Sequence, residues 1–370
     1  MKAKTLTEHL RNGLSTVSKV VSTRNQLPIL GNVLITFNSN EGIILSTTNL
    51  EISIKTTVKA SIEKEGSTTT PLKIFNELIA LAKEEKLEIE TSGNNLIITS
   101  KNNNYTLATA NPDEFPQVTK KNKEEFLNLE PKTLSQILSL VSIATTQDET
   151  RPLLGGVLVQ KNEKGLDFVA TDGYRLSVKT TKLKEVNLNQ GLILPIRTLL
   201  EVDRIAKEKK AEKITVNLCP ENKIIEFIID NTEITSRLIE GEFPKFQKII
   251  PPSFITRIIV DREELLNSVK SASVFARESA NIIKISLKNN TISLSAKAAQ
   301  VGETHLSLTG EKTGEDLEIA FNYRFLLELL NALTAERIIF ESNGSLSPGI
   351  FKSEKDDSFL HVIMPVRIQE

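Results

Sequence analysis

The chain has 370 residues, of which 25% are charged and 39% hydrophobic, and its formal net charge at pH 7 is −1. This length exceeds that of one ordinary hydrophobic core and predicts two or three domains. No apolar run approaches the ~18 residues of a membrane span, and we expect no secretory signal. The single cysteine, Cys219, excludes a disulfide framework and indicates a reducing cytoplasm.

The most informative feature of the sequence is an internal repeat, which is best sought before single motifs. The segments LPILGNVLI (27–35) and RPLLGGVLV (151–159) both place a proline before two apolar residues, a glycine and an apolar run. Their prolines, Pro28 and Pro152, are 124 residues apart. NIIKISL (281–287) is predicted to be the same strand in a third copy.

Each copy is predicted to open with a helix. In a capping box the first side chain caps the helix start and the fourth reaches back to it. Such boxes are predicted at Thr5-x-x-Glu8, Thr133-x-x-Gln136 and Asp261-x-x-Glu264. Apolar residues follow at helical spacing in all three copies.

Alternating apolar and polar residues then predict pairs of strands. GIILSTTNLEISIKTTV (42–58) corresponds to LDFVATDGYRLSVKTT (166–181), which aligns Thr47 with Thr171. A second helix is predicted at PLKIFNELIALAKE (71–84), PIRTLLEVDRIAKE (195–208) and NYRFLLELLNAL (322–333). Three short strands close each copy.

The predicted fold class is α+β, with three tandem copies of one domain that each pack two helices on antiparallel sheet. We predict domains at 1–121, 122–252 and 253–370, joined by a charged connector at 120–123 and a rigid one at Pro251-Pro252. Units of this size are ordinary domains, far longer than the ~20–50-residue units of solenoids and propellers.

Motifs of known catalytic chemistry are not found in the sequence. It contains no phosphate-binding loop, no nucleophile elbow and no His-Glu-x-x-His pair, and its three histidines lack the spacing of metal ligands. Asp172 in ATDGYRLSV (170–178) is the best catalytic candidate, for a nuclease or hydrolase, but no second carboxylate or histidine lies nearby. Its Asp-Gly pair is also a strong hairpin signal. A repeat scaffold without a nucleic-acid role is a further alternative.

Basic residues recur at matching positions of the copies. Lys73, Arg197 and Arg324 each stand two residues after the residue that opens the second predicted helix. The loop arginines Arg24, Arg151 and Arg277 form another matching set. If the copies are arranged around an axis, these charges form a ring, which suits a polyanion bound through its phosphates without base specificity.

The second copy also carries residues that the first lacks. Where the first has Asn49-Leu50-Glu51, the second has Gly173-Tyr174-Arg175. An aromatic ring and a guanidinium added to one copy of a shared scaffold predict a binding site there.

Five separated motifs in order resemble the bacterial DNA polymerase III β subunit, the replication sliding clamp. These are LPILGNVLI, ATDGYRL, EGEFPKFQKIIP, FNYRFLLELLNAL and the terminal VIMPVR, and the resemblance covers essentially the whole chain. It implies a non-catalytic cytoplasmic processivity factor without a cofactor or metal. It further implies a head-to-tail homodimer whose six domains surround double-stranded DNA, with helices lining the hole.

The resemblance also implies site residues. Arg24, Lys73, Gln147 and Arg197 would face DNA. A groove between the second and third domains would take a short extended peptide, with glutamine first and apolar residues last. Such peptides come from the polymerase catalytic subunit, the clamp loader, and repair and mismatch proteins. The matching groove residues are Arg151, Leu154, Thr171, Gly173, Tyr174, Arg175, Leu176, Pro244, Lys248, Ile249, Asn322, Val362, Met364, Pro365, Val366 and Arg367.

The family's dimer interface implies a further set, which is Tyr105 and Leu107 on one side and Val274 and Phe275 on the other. The chain departs from the family pattern at Pro152-Leu153, where many relatives have a tyrosine pair, and at Lys248, where an arginine is frequent. Three residues extend beyond Arg367.

Overall fold

The computed structural model describes residues 1–21, 27–116, 122–183, 188 and 190–367. The first copy runs as a strand, a helix, five strands, a second helix and three closing strands. Its elements are β1 (Lys2–Leu6), α1 (Thr7–Ser18), β2 (Asn32–Asn38), β3 (Gly42–Thr48), β4 (Ile52–Val58), β5 (Ala60–Lys64), β6 (Gly66–Pro71), α2 (Leu72–Leu81), β7 (Lys86–Ser92), β8 (Asn95–Thr99) and β9 (Asn104–Ala108).

The second copy repeats this order with one strand fewer among its described residues. Its elements are β10 (Glu124–Leu129), α3 (Pro131–Val141), β11 (Gly156–Asn162), β12 (Gly165–Thr171), β13 (Arg175–Thr181), β14 (Leu192–Pro195), α4 (Ile196–Lys209), β15 (Ile214–Cys219), β16 (Ile224–Ile229) and β17 (Thr232–Arg237).

The third copy has the same order again. Its elements are β18 (Thr256–Asp261), α5 (Arg262–Ala276), β19 (Ile282–Lys288), β20 (Thr291–Ala298), β21 (Gly302–Gly314), β22 (Leu317–Asn322), α6 (Tyr323–Ala332), β23 (Arg337–Ser342), β24 (Gly349–Ser353) and β25 (Asp356–Ile363). The three copies of helices on antiparallel sheet confirm the predicted α+β class.

The prediction that each copy opens with a helix was wrong, because a strand precedes the first helix in every copy. One of the three predicted capping boxes forms in part, at Asp261, whose side chain accepts a hydrogen bond of 2.8 Å from the Glu264 N–H. Thr5 lies in β1, and its hydroxyl donates to the Lys59 carbonyl (2.7 Å) instead. Thr133 lies inside α3.

The described chain divides into two compact units, Met1–Pro131 with Arg197–Leu238, and Lys132–Ile196 with Ile239–Glu370. The first unit holds a five-stranded sheet in the order β5-β1-β7-β8-β9 and an eight-stranded sheet in the order β10-β15-β16-β17-β4-β3-β2-β6. The second unit holds a twelve-stranded sheet, β14-β11-β12-β13-β25-β24-β23-β18-β21-β20-β19-β22. The second copy therefore contributes to both units, and the domain boundaries at 121/122 and 252/253 stay a prediction.

Strand continuity differs between the copies. In the third copy the 13-residue strand β21 pairs with β20 along Gly302–Thr309 and with β18 along Gly310–Gly314. In the first copy the corresponding path is interrupted at Lys59, so that β4 pairs with β3 while β5 pairs with β1. In the third copy a single strand therefore makes both sets of pairings, which β4 and β5 divide between them in the first copy.

Helices cover the sheets through apolar stripes. In the first unit α1 buries Leu10, Leu14 and Val17 and packs against α2, β3 and β4. A Cβ on Gly13 would lie 2.4 Å from Val58 Cγ2, so glycine permits the close approach of α1 to β4. In the part of the chain that the structure describes, no helix is long and apolar enough to cross a bilayer.

Candidate functional site

The ATDGYRL motif forms the turn between β12 and β13. Asp172 Oδ1 accepts hydrogen bonds from the N–H groups of Tyr174 (2.8 Å) and Arg175 (2.9 Å). The Thr171 hydroxyl donates to the Arg175 carbonyl (2.7 Å) and accepts from the Gly173 N–H (3.1 Å). Gly173 has a φ of +92°, which glycine adopts without steric cost. The turn is therefore fixed by its own side chains.

The first copy builds the same turn between β3 and β4. Its hydrogen bonds repeat those of the second copy, with Asn49 in the role of the aspartate and Thr48 in the role of the threonine. The equivalent pairs are Thr48 and Thr171, Asn49 and Asp172, Leu50 and Gly173, Glu51 and Tyr174, and Ile52 and Arg175.

The alignment of Thr47 with Thr171 was therefore wrong by one residue. The turn from Asn38 to Gly42, which pair across β2 and β3, is one residue longer than the turn from Asn162 to Gly165. The counterpart of Arg175 is consequently Ile52, and the counterpart of Tyr174 is Glu51.

Arg175 is a buried side chain with three partners. Its Nε donates to Asp172 Oδ2 (3.0 Å), and its Nη1 donates to Glu328 Oε2 (2.5 Å) on α6. Its guanidinium carbon lies 4.4 Å from the centroid of the Phe325 ring. Only 9% of the residue is exposed. The ion pair with Glu328 joins the turn of the second copy to a helix of the third.

The segment after β25 continues along this turn. Strands β13 and β25 are paired, with Leu176 opposite Val362, and the Met364 N–H then donates to the Tyr174 carbonyl (2.9 Å). Two residues later, the Val366 N–H donates to the Ala320 carbonyl (2.8 Å). Met364 and Tyr174 both expose apolar surface, 37% and 62% of each residue. Pro365 is half-buried and Arg367 is exposed.

An apolar cluster lies beneath this surface. Its buried members are Leu158, Val169, Leu176, Ile193, Phe243, Phe246, Ile350 and Val362, and Leu153 packs on it from the side. Leu153 thus packs against the cluster, and Leu154 beside it is half-buried. At the positions of Val169, Leu176 and Val362 the first unit has Ser46, Ser53 and Thr235. At these three positions the second unit is therefore apolar where the first unit is polar.

The EGEFPKFQKIIP segment is attached to the same cluster. Phe243 and Phe246 are buried in it, whereas Pro244, Lys248 and Ile249 between and after them are exposed. Residues Phe246–Ile249 form a 3-10 turn. Phe243 and Phe246 therefore anchor a segment that exposes three residues, among them Lys248.

Arg151 is hydrogen-bonded to the turn between β12 and β13. Its Nη1 donates to the Asp172 carbonyl (3.2 Å) and its Nε to Asp148 Oδ2 (2.8 Å). The Thr150 hydroxyl, and after it Arg151, lower the pKa of Asp148 to about 2 by hydrogen bonding. Asn322 is the N-cap of α6, since its side chain accepts from the Arg324 N–H (3.0 Å).

The residues predicted to face DNA take similar local positions where they are described. Lys73 and Arg197 are both exposed at the second residue of their helices, α2 and α4, and Arg324 has that place in α6. Gln147 is exposed in the loop before β11. Arg24 lies outside the described residues.

Three domain models of one protein family match successive parts of the chain. They are the N-terminal domain of the DNA polymerase III beta subunit at residues 1–119, its central domain at 128–245 and its C-terminal domain at 247–367. The chain belongs to the DNA polymerase III beta subunit family. This confirms the family that the ordered motifs predicted.

Curated relatives and solved structures agree with the family. The chain is 29% identical to a beta sliding clamp of Staphylococcus aureus in an alignment of 367 residues that covers 96% of each chain. It is similar to the DNA polymerase III beta chain of Streptococcus pneumoniae, with 27% identity, a TM-score of 0.93 and coverage of 99% and 100%. A Bacillus subtilis sliding clamp gives 25% identity and the same TM-score over 100% of both chains.

The chain is accordingly a DNA sliding clamp, a non-catalytic processivity subunit of a DNA polymerase. The alternative of an enzyme built on Asp172 was wrong, and the contacts of Asp172 give the physical reason. Both carboxylate oxygens are engaged, one by two backbone N–H groups and the other by Arg175. Within the described ranges no group of three or more His, Cys, Asp or Glu side chains could hold a metal ion.

The residues predicted at the dimer interface differ in exposure. Val274 on α5 is 45% exposed, whereas Leu107 on β9 is buried within the chain. Tyr105 and Phe275 are half-buried. Sequence reasoning missed two exposed apolar residues on α2, Ile74 (51%) and Leu81 (76%), and Val301 (58%) in the third copy. Ile74 and Leu81 lie off the buried stripe of α2. A projection of the sequence onto a helical wheel would have placed both residues outside the apolar face.

Proposed function

We propose that the clamp closes with a second copy of itself, head to tail, into a ring around double-stranded DNA in the cytoplasm. The observation that carries this proposal is the exposed cation at the second residue of α2, α4 and α6, one in each copy. Lys73, Arg197 and Arg324 repeat at one internal position, so any arrangement of the copies about an axis repeats them as a ring of positive charge. Cations at such positions bind phosphates without reading bases. Gln147 and Arg24 would complete the contacts.

Topological linkage distinguishes a ring from an ordinary DNA-binding protein. Clamp loaded onto nicked circular DNA should stay bound through gel filtration and should be lost after the circle is cut once. Equal retention on circular and linear DNA would overturn the ring. A scaffold without a nucleic-acid role would show no salt-dependent association with either DNA.

We infer that the groove formed by the β12–β13 turn, the 364–367 segment and the exposed residues around Phe246 binds extended peptides of partner proteins. A polymerase subunit, a clamp loader and repair proteins are the expected partners. An apolar floor with a few polar groups at its rim suits a ligand with an apolar end, since burial supplies affinity and hydrogen bonds supply orientation. Met364, Tyr174 and Ile249 supply the exposed apolar surface.

Truncation tests the groove. Removal of residues 364–370 takes away Met364 and the Val366 N–H that is bonded to Ala320, and should abolish binding of a polymerase subunit in a pull-down. The matched control removes only residues 368–370 and should bind normally. Sedimentation should give the same dimer mass for both truncations. Undiminished polymerase binding by the longer truncation would show that the groove lies elsewhere.

We propose that the dimer interface pairs the exposed edge of the first copy with α5 of the third copy of the partner. Strand β9 is the last strand of its sheet, and an unpaired strand edge with neighbouring apolar surface favours association. Tyr105, Ile74 and Leu81 would contribute on one side, and Val274, Phe275 and Val301 on the other.

A further inference from the structure

We propose that Glu328 is a specificity-determining residue of the peptide groove: by pairing with Arg175 it keeps the inner end of the groove from attracting carboxylates, and so selects peptides whose apolar end carries no negative charge. The inference rests on the proposed function of the groove. Glu328 belongs to the third copy and was not among the residues that the family resemblance implied.

Arg175 contacts two carboxylates and one aromatic ring. Two of its nitrogens donate to carboxylates, Nε to Asp172 at 3.0 Å and Nη1 to Glu328 at 2.5 Å. The Phe325 ring covers one face of the guanidinium. Planar guanidinium groups bind carboxylates with good geometry, so the charge of Arg175 is largely satisfied inside the protein. A peptide therefore meets a paired guanidinium rather than a free cation.

The first copy has an apolar residue at the position that Arg175 takes in the second copy. The equivalent of Arg175 there is Ile52, which is 7% exposed in the same turn. The scaffold thus accepts an apolar residue at this buried position. Buried ion pairs are seldom more stabilising than apolar side chains of similar volume, because both charges lose their hydration. A guanidinium with its carboxylate partners is therefore better explained by binding than by stability.

The two carboxylates that bind Arg175 differ in their other contacts. Asp172 also accepts hydrogen bonds from the N–H groups of Tyr174 and Arg175, so its charge is used in fixing the turn. Glu328 has no described hydrogen bond or ion pair except that to Arg175, and its side chain is 48% exposed. Its removal would release the positive charge of Arg175 toward the groove without disturbing the turn.

The experiment compares two forms of one peptide. The probe is a fluorescein-labelled pentapeptide, Gln-Ala-Ser-Leu-Phe, made with either a carboxy-terminal amide or a free carboxylate. Fluorescence anisotropy gives the Kd of each form for the clamp and for Glu328→Gln. The measured quantity is the ratio of the Kd of the carboxylate form to that of the amide form. A loss of structure alone would raise both Kd values together and leave this ratio unchanged.

In Glu328→Gln this ratio should fall by about fivefold or more, the effect of one charge removed close to another at a partly exposed site. Glu328→Asp keeps the charge and should keep the wild-type ratio. Glu354→Gln is the matched control, because Glu354 also pairs with an arginine of the third copy, Arg337 (3.3 Å), and its loss changes the net charge equally. That variant should also keep the wild-type ratio. Thermal unfolding of each variant verifies that it is folded.

The outcomes separate this inference from the proposed function. If wild-type clamp binds both forms and the ratio in Glu328→Gln stays within about twofold of wild type, the inference fails and the groove stands. An equal fall of the ratio in Glu354→Gln overturns it as well, since net charge alone would then suffice. If wild-type clamp binds neither form, the groove itself is wrong, and the inference fails with it.

Discussion

His361 on β25 is a fully buried histidine. Its Nδ1 lies 2.7 Å from the Ser177 hydroxyl, and its Nε2 has no hydrogen-bond partner among the described residues. Burial, and after it the positive charge of Arg175, lowers the pKa of His361 to about 3. In the unfolded chain a histidine has its ordinary pKa near ~6.5. At a pH between these two pKa values, His361 is protonated in the unfolded state and neutral in the folded state.

The sign of the pH effect follows from this difference. Stability contributed by His361 is fully present above about pH 6.5 and is lost as the pH falls toward the folded pKa, with a slope of up to ~1.4 kcal/mol per pH unit. We predict that His361→Gln reduces the loss of stability between pH 7 and pH 5. Urea unfolding followed by circular dichroism at both pH values measures it. An equal loss in the variant and the wild type would assign the pH dependence to other groups.

Leu50 is a residue in an unfavourable backbone conformation, with a φ of +76° where the second copy has Gly173. This region costs an L-residue roughly 1–2 kcal/mol, while glycine pays about 0.5–1 kcal/mol for its greater freedom in the unfolded chain. Because the Leu50 side chain is 48% exposed, little burial is at stake.

We therefore predict that Leu50→Gly stabilises the protein by a few tenths to about 1 kcal/mol. The reverse change, Gly173→Ala, should destabilise it by a similar amount. Thermal denaturation of both variants is the measurement. A less stable Leu50→Gly protein would mean that the leucine side chain makes contacts worth more than the strain.

At the scale of elements, the close packing of α1 on β4 depends on Gly13. A Cβ there would lie 2.4 Å from Val58 Cγ2 and 3.1 Å from Leu45 Cδ1, and both side chains are in the core. Gly13→Ala should therefore destabilise the protein by about 1–3 kcal/mol, the usual cost of overpacking. Gly31→Ala is the control, because nothing lies within 4 Å of its added Cβ. Urea midpoints that shift equally in both variants would contradict the prediction.

The elements themselves could largely be predicted from the sequence, because helical and alternating spacing report which face of each segment is buried. The second helices at Leu72–Leu81 and Tyr323–Ala332 lie within the predicted segments, and Ile196–Lys209 ends one residue beyond its segment. The predicted start of the first helix was wrong because the Thr5 hydroxyl donates to the carbonyl of Lys59, 54 residues away, and does not cap a nearby N–H. Local sequence contains no sign of such a partner.

The candidate site was predictable only in outline. The resemblance supplied Arg175, but alignment of the copies assigned it the wrong counterpart, since one additional residue in the turn at Asn38–Gly42 shifts the register without changing the strand pattern. The partners of Arg175 could not be derived either. Glu328 is 153 residues away in the chain, and the pairing of β13 with β25 brings the two copies together.

At the scale of the whole molecule, the proposed ring depends on its interface. Val274→Ala combined with Phe275→Ala removes apolar surface from α5, so we predict a change from dimer to monomer at micromolar concentration, measured by sedimentation. Ile255→Ala combined with Leu346→Ala is the control, since both residues are exposed apolar side chains of the same copy outside the predicted interface. An unchanged mass in the first variant would reject Val274 and Phe275 as interface residues.

The continuous strand β21 has a mechanical consequence. Because its 13 residues pair with β20 at one end and β18 at the other, a load on either part of the sheet is carried by a single unbroken backbone. In the first copy the interruption at Lys59 leaves a point where β4 and β5 can bend independently. We therefore expect this part of the third copy to bend less than the corresponding part of the first copy.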